Sequence, residues 1–351
     1  MIVLSAAQAL APAIERTRRL LFQPFRVGTF LKLCAVAVFT EGFGGNFNFS
    51  TPGHSSSHST TQSNAVVTEW STQLEPRWIA LIAAGILVSL IIGFLLFYLI
   101  TRLRFSLFHC LVYQVKEIRP GWQLYREPAN RFFWMNVAVA LVFMCFVCLS
   151  VAPFALGFYR IYKSTQAGSH LDVALLVSLA IPLLAVLLVI ALLAVSIDIV
   201  LRDFMLPHFA LEDASAGTAW HIVHTRIAAE KGSFFLYAVL RILLPIAALV
   251  ALLMILAIPM LLLFGVFAAL FGGLHVVLAN AEPLRVVLEI LVGVVAFAIG
   301  VLLAISFGGP LSIWVRNFAL VFYSGRYKLL GDVLFPPPPP PLFDGSQAPT
   351  I

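Results

Sequence analysis

Charge is scarce in this sequence: 11% of its 351 residues are Asp, Glu, Lys or Arg, where a soluble globular domain carries about 25%. With 61% hydrophobic residues beside it, that shortage excludes both an ordinary soluble domain and a disordered chain. Cysteine is scarce as well. The four present are too few and too scattered, with Cys34 and Cys110 far apart, to make a disulfide framework. Cys145 and Cys148 form a Cys-x-x-Cys, but Val142, Phe143, Met144, Phe146 and Val147 around them supply only hydrocarbon. A reactive thiolate needs access and nearby positive charge, so this pair is expected to serve as small packing residues. There is no phosphate-cradling glycine loop, no Gly-x-Ser-x-Gly nucleophile elbow and no nucleotide fold. Met1 to Glu15 lacks the positive n-region of a cleavable signal peptide. The sequence therefore offers no catalytic constellation, and nothing in it calls for a cofactor or a metal.

What is abundant is long apolar sequence. Six runs, at about 27–43, 77–103, 132–158, 172–200, 234–273 and 285–323, hold most of the hydrophobic residues. About 20 apolar helical residues cross a hydrocarbon layer about 30 Å thick; five runs meet that length and the first is marginal. The fold class predicted is all-α, a polytopic transmembrane bundle of about six spans with cytoplasmic amphipathic interfacial helices. Lys and Arg concentrate in the N-terminal segment (Arg16, Arg18, Arg19, Arg26), in the 101–131 and 201–233 connections, and after the last run (Arg316, Arg326, Lys328). Loops rich in these residues stay on the cytoplasmic side. That pattern predicts both termini in the cytoplasm of a cell's inner membrane, and it accounts for the net charge of +6 without a nucleic-acid partner.

Three units follow: residues 1–26 as a cytoplasmic amphipathic segment, 27–323 as the membrane domain and 324–351 as a Pro-rich cytoplasmic tail. In the first, Leu20, Leu21, Phe22 and Phe25 are expected to anchor a helix lying on the headgroups, with Pro24 marking the bend into the first span. The outer loop 44–76 is polar and predicted to be flexible; its Asn48-Phe49-Ser50 sequon and its His54 and His58 are weak signals. In the tail, Pro336 to Pro341 favours an extended helix, either a spacer or a ligand for a protein partner's aromatic groove. In the 201–233 connection, His221-x-x-His224 places two rings on one helical face, a spacing zinc can use. Ala216, Ala219, Trp220, Val223, Ile227 and Ala228 instead fit an interfacial helix from Asp213 to Glu230, with Trp220 at headgroup level.

The fifth and sixth runs are too long for one crossing. Pro259 in one, and Gly308, Gly309 and Pro310 in the other, are candidate breaks inside the membrane; the alternative is a long kinked helix. Charges in or near the spans are costly and should find partners. The candidates are Asp198, Arg202, Arg241, Glu289 and Arg316. Asp198 and Arg202 are one turn apart, as are Arg285 and Glu289, and Arg241 is expected to reach Asp198 across the fourth and fifth spans.

The stretch Asp198-Ile199-Val200-Leu201-Arg202-Asp203-Phe204-Met205-Leu206-Pro207-His208-Phe209-Ala210-Leu211-Glu212, with Ala219-Trp220 after it, resembles bacterial multi-pass proteins. These include the membrane domain found beside some glycerophosphodiester phosphodiesterases. The opening Arg18-Arg19-Leu20-Leu21-Phe22-Gln23-Pro24-Phe25 is similar to theirs too. The resemblance implies membrane residence with no catalytic residue to carry over, because the soluble phosphodiesterase barrel is missing. The function expected is that of a membrane-organising or accessory protein with the lipid bilayer as its partner. The alternative is a carrier of an apolar or amphipathic solute, with a site beside the broken fifth and sixth spans.

Overall fold

The computed structural model describes residues 4–42, 76–166, 173–277 and 281–336. Within them the regular structure is helical: α1 (Leu10–Phe22), α2 (Val27–Gly42), α3 (Pro76–Tyr113), α4 (Ile118–Leu124), α5 (Arg126–Gln166), α6 (Val173–Ile199), a π-helical turn (Val200–Met205), α7 (Leu206–Leu211), α8 (Ala216–Ala229), α9 (Lys231–Val277), α10 (Glu282–Ser324) and α11 (Lys328–Leu334). Nearly all of the 44–76 loop, with its sequon and its His54 and His58, lies outside the described residues, as do the prolines after Pro336.

Hydrocarbon cannot satisfy a bare backbone, so the apolar runs close their hydrogen bonds internally as helices. Five described rods are long and apolar enough to cross a membrane: α3 from Ala80, α5, the continuous α6–π–α7 rod, α9 and α10. This is a polytopic helical membrane protein. The marginal first run is α2, whose 16 residues span about 24 Å.

The candidate breaks are absent, and the alternative of long continuous helices holds. Helix α9 runs 47 residues through Pro245 and Pro259, about 70 Å, and α10 runs unbroken through Gly308, Gly309 and Pro310. A single proline forfeits one helical hydrogen bond, whereas a full break would leave several backbone groups unpaired. The glycines serve another purpose. A Cβ built on Gly309 would lie 2.2 Å from the Cys34 Cβ and 2.6 Å from its Cα, so α2 and α10 cross almost backbone to backbone, as small residues allow.

The packed core lies at one end of the bundle, the end that carries α1 and α11. Phe105, Phe108, Phe132, Phe209, Phe322 and Tyr323 are fully buried there. This collar overturns two expectations. Leu20 and Leu21 of α1 are buried in the protein, against α10, leaving only Phe22 and Phe25 exposed, grouped with Phe30. The segment after 324 is not all tail, because α11 buries Leu330 and Leu334 in the same core. Beyond the collar the rods present Leu141, Leu188, Met254, Phe264 and Phe297 outward. Cys145 and Cys148 are also exposed there, on the apolar outer surface and not packed within the fold.

Candidate functional site

Arg202 and Asp203 are neighbours in the chain and sit in the π-turn. The wider turn, which closes i→i+5 hydrogen bonds, is a feature often found at functional positions. Both side chains are buried, and each faces a different set of partners. Asp203 accepts from the Tyr237 hydroxyl at 2.8 Å, from Arg241 Nε at 3.0 Å, both on α9, and from Arg316 of α10 at 2.6 Å. Arg202 pairs with Glu41 at the end of α2 and, at 3.2 Å, with Asp198 one turn back. Arg241 joins the two halves, because its Nη2 also lies 3.6 Å from Glu41.

The end of α2 is held a second way. Arg104 of α3 and Arg202 each donate to the Thr40 carbonyl at 3.4 Å. Carbonyls of a last helical turn lack partners and carry partial negative charge, so cations suit them. Four guanidinium groups and three carboxylates from α2, α3, α6, the π-turn, α9 and α10 thus meet in one buried cluster. In a low-dielectric interior such a group is tolerated only when every carboxylate is paired and hydrogen-bonded, and here each one is.

One turn further toward the collar lies a second buried group. His208 is fully buried; its Nε2 is 2.8 Å from the Tyr323 hydroxyl and its Nδ1 3.2 Å from Glu212. The Tyr327 ring packs on the imidazole with centroids 4.2 Å apart, and Arg226 stands over Tyr327. Burial, then the Glu212 carboxylate, pushes the Tyr327 phenol well above its ordinary range, so it stays neutral. Through Glu212 and Tyr323 this histidine ties the end of α7 to α10.

A profile for a family of unknown function (DUF7544) matches residues 4–333. The chain belongs to this family. No curated protein and no solved structure matches it. Every residue of both buried groups falls inside the stretch that the family covers.

Of the charges singled out in the sequence, Asp198 and Arg202 meet as expected, and so do Arg285 and Glu289, at 3.7 Å, with His275 3.6 Å from the same carboxylate. Arg316 is in the cluster. Arg241 does not reach Asp198; its partners are Asp203 and Glu41. Sequence reasoning missed Asp203 because the fourth run stops at Val200 and the next residues read as a loop. A signal was present: Phe204, Met205, Leu206, Phe209, Ala210 and Leu211 resume the apolar pattern at once, as they do when a helix continues. Arg104 was placed in a connection in the same way, although Phe105, Leu107, Phe108 and Leu111 continue α3. The helix expected over 213–230 is α8, capped at Ser215, whose side chain accepts from the Thr218 amide. Among the described residues no group of three His, Cys, Asp or Glu side chains gathers to hold a metal ion.

Proposed function

We propose that this protein is a non-catalytic membrane organiser: a bundle of spans fastened at its cytoplasmic end, offering its apolar faces to lipid and its collar to partners. The observation that carries this reading is the pairing of every carboxylate in the cluster. Glu41, Asp198 and Asp203 are all engaged by arginines of the same chain, so none is left to move a proton, activate a nucleophile or hold a travelling ion. Both termini are assigned to the cytoplasm of a bacterial inner membrane, on the Lys and Arg excess at that end. The likeness of residues 198–212 to membrane domains that accompany glycerophosphodiester phosphodiesterases, which implies membrane residence without an assigned activity, is compatible with an accessory role. A proline run at 336–341 would then give a cytoplasmic partner a ready ligand.

The test is reconstitution of the full chain in proteoliposomes, assayed for flux of a panel of small organic and lipid-like solutes and for ester and phosphodiester hydrolysis. Rates equal to those of protein-free vesicles are expected for every compound. Saturable flux or turnover above that background, lost in Asp203→Asn, would overturn the reading in favour of a carrier or an enzyme.

A further inference from the structure

The face of the π-turn that turns away from the ion cluster borders a cavity. Val200, Leu201 and Met205 line it, with Ser196 one turn back on α6, while Arg202 and Asp203 of the same six-residue turn point into the charges. Met135 and Val139 of α5 form the opposite wall, and Ala216 and Trp220 of α8 close it toward the collar; its volume is ≈ 440 Å³. Ligand sites of about 300–1,000 Å³ with mostly apolar walls and a few polar groups are the usual form for small amphipathic molecules. This one is lined by hydrocarbon through its depth. Its collar end is different.

Arg131 lies one helical turn before Met135 on the same face of α5. It is partly exposed and pairs with Asp213, which sits in the left-handed region at φ 53°, a conformation Asp tolerates. That tight connection between α7 and α8 brings the carboxylate to Arg131, on the turn of α5 that precedes the wall. Trp220, half exposed, packs near His224 with ring centroids 6.0 Å apart. An indole at the edge of an apolar space is the arrangement found at the headgroup boundary, and Arg131 supplies a cation one turn of α5 beyond that space.

We infer that this cavity binds one acyl chain of a glycerophospholipid drawn from the surrounding bilayer, with the lipid's phosphate meeting Arg131. Lipid is the occupant because the flanking surfaces of α5 and α6, through Leu141, Val142, Leu188 and Leu192, are exposed and apolar and so face chains of that kind. The phosphate is the complement of the guanidinium, which it can share with or take from Asp213. Because the cavity and the cluster are two faces of one π-turn, the bound chain packs against the segment that fastens α6 to α9 and α10. This inference goes beyond the organiser reading and stands without it.

The test uses the full chain in nanodiscs doped with phosphatidylglycerol carrying a diazirine on one acyl chain, or with a diacylglycerol carrying the same labelled chain. After photolysis, the expected result is saturable labelling, one probe per protein, in peptides holding residues 135–139 and 196–220. Val139→Phe fills the cavity and lowers that yield about tenfold, while Leu141→Phe on the outward face leaves it unchanged. Ser196→Met, a second filling variant, covers the case in which Val139→Phe does not fold. Arg131→Ala lowers labelling by the phosphatidylglycerol probe about fivefold and leaves the diacylglycerol probe as it was. Labelling spread without saturation over the outward faces, or wild-type yield in a folded filling variant, would overturn the site. Equal losses for both probes in Arg131→Ala would overturn the phosphate contact.

Discussion

At the residue scale, Asp203 carries the most. Three donors from two other rods converge on a carboxylate with no exposed side chain, so its loss leaves Arg241 and Arg316 buried without their shared counter-ion. Removing one member of a buried pair costs about 3–5 kcal/mol. Asp203→Asn should therefore lower the melting temperature in detergent sharply. Asp198→Asn should cost less than about 1 kcal/mol, because Asp198 is a third exposed and bridges within one helix. The double variant Asp203→Asn/Arg241→Gln should lose less than the sum of its parts, since a residue without its partner has less left to lose. Asp198→Asn/Arg241→Gln, whose side chains do not touch, should show the weaker coupling. Coupling in the second pair and none in the first would contradict the geometry. Tyr237→Phe removes one charged hydrogen bond and should cost about 1.5–3 kcal/mol by the same measurement.

At the element scale, α2 is the short helix among long ones, and two contacts hold it. One is the charged end at Thr40 and Glu41; the other is the crossing at Cys34 and Gly309. The two glycines differ. A methyl on Gly308 meets only the Val38 Cγ2 at 3.4 Å, while one on Gly309 collides with the Cys34 backbone. Gly309→Ala should lift α2 off α10 and expose Cys34, and Gly308→Ala should be tolerated. Maleimide reaction at Cys34, in a background with the other three cysteines replaced by serine, reads this directly: fast in Gly309→Ala, slow in Gly308→Ala and the parent. Equal rates would mean that the crossing does not hold α2. Pro259→Ala, on a helix that already runs through that position, regains a backbone donor and should leave the melting temperature unchanged or a few degrees higher. A fall of that size would restore the case for a break.

At the scale of the whole molecule, the collar makes one end of the bundle compact, while beyond it the apolar rods meet in pairs, α5 with α6 and α9 with α10. On the Lys and Arg excess at the compact end, the collar is proposed to face the cytoplasm. Leu329→Cys, exposed on α11 in the collar, should resist an impermeant thiol reagent in intact cells and react once they are opened. Glu282→Cys, at the start of α10, should react in both. The reverse pattern would invert the bundle.

The sequence alone determined the material. Scarce charge and long apolar runs leave a chain in contact with hydrocarbon no choice but helix. It also put Asp198 beside Arg202, since one turn of helix suffices. What only the tertiary structure decided was how far each helix reaches past its apolar run and which charges then meet. Arg104 and Asp203 look like loop residues when hydropathy sets the boundary, but helices α3 and α6–π–α7 carry them into a protein interior that plays the part of solvent. Leu20, Leu21, Leu330 and Leu334 have the composition of membrane-facing residues, and the collar takes them instead. Hydropathy records only that a side chain avoids water. Whether lipid or protein covers it depends on contacts between elements far apart in sequence, and the same is true of Arg241, whose partner lies 38 residues away on a neighbouring rod.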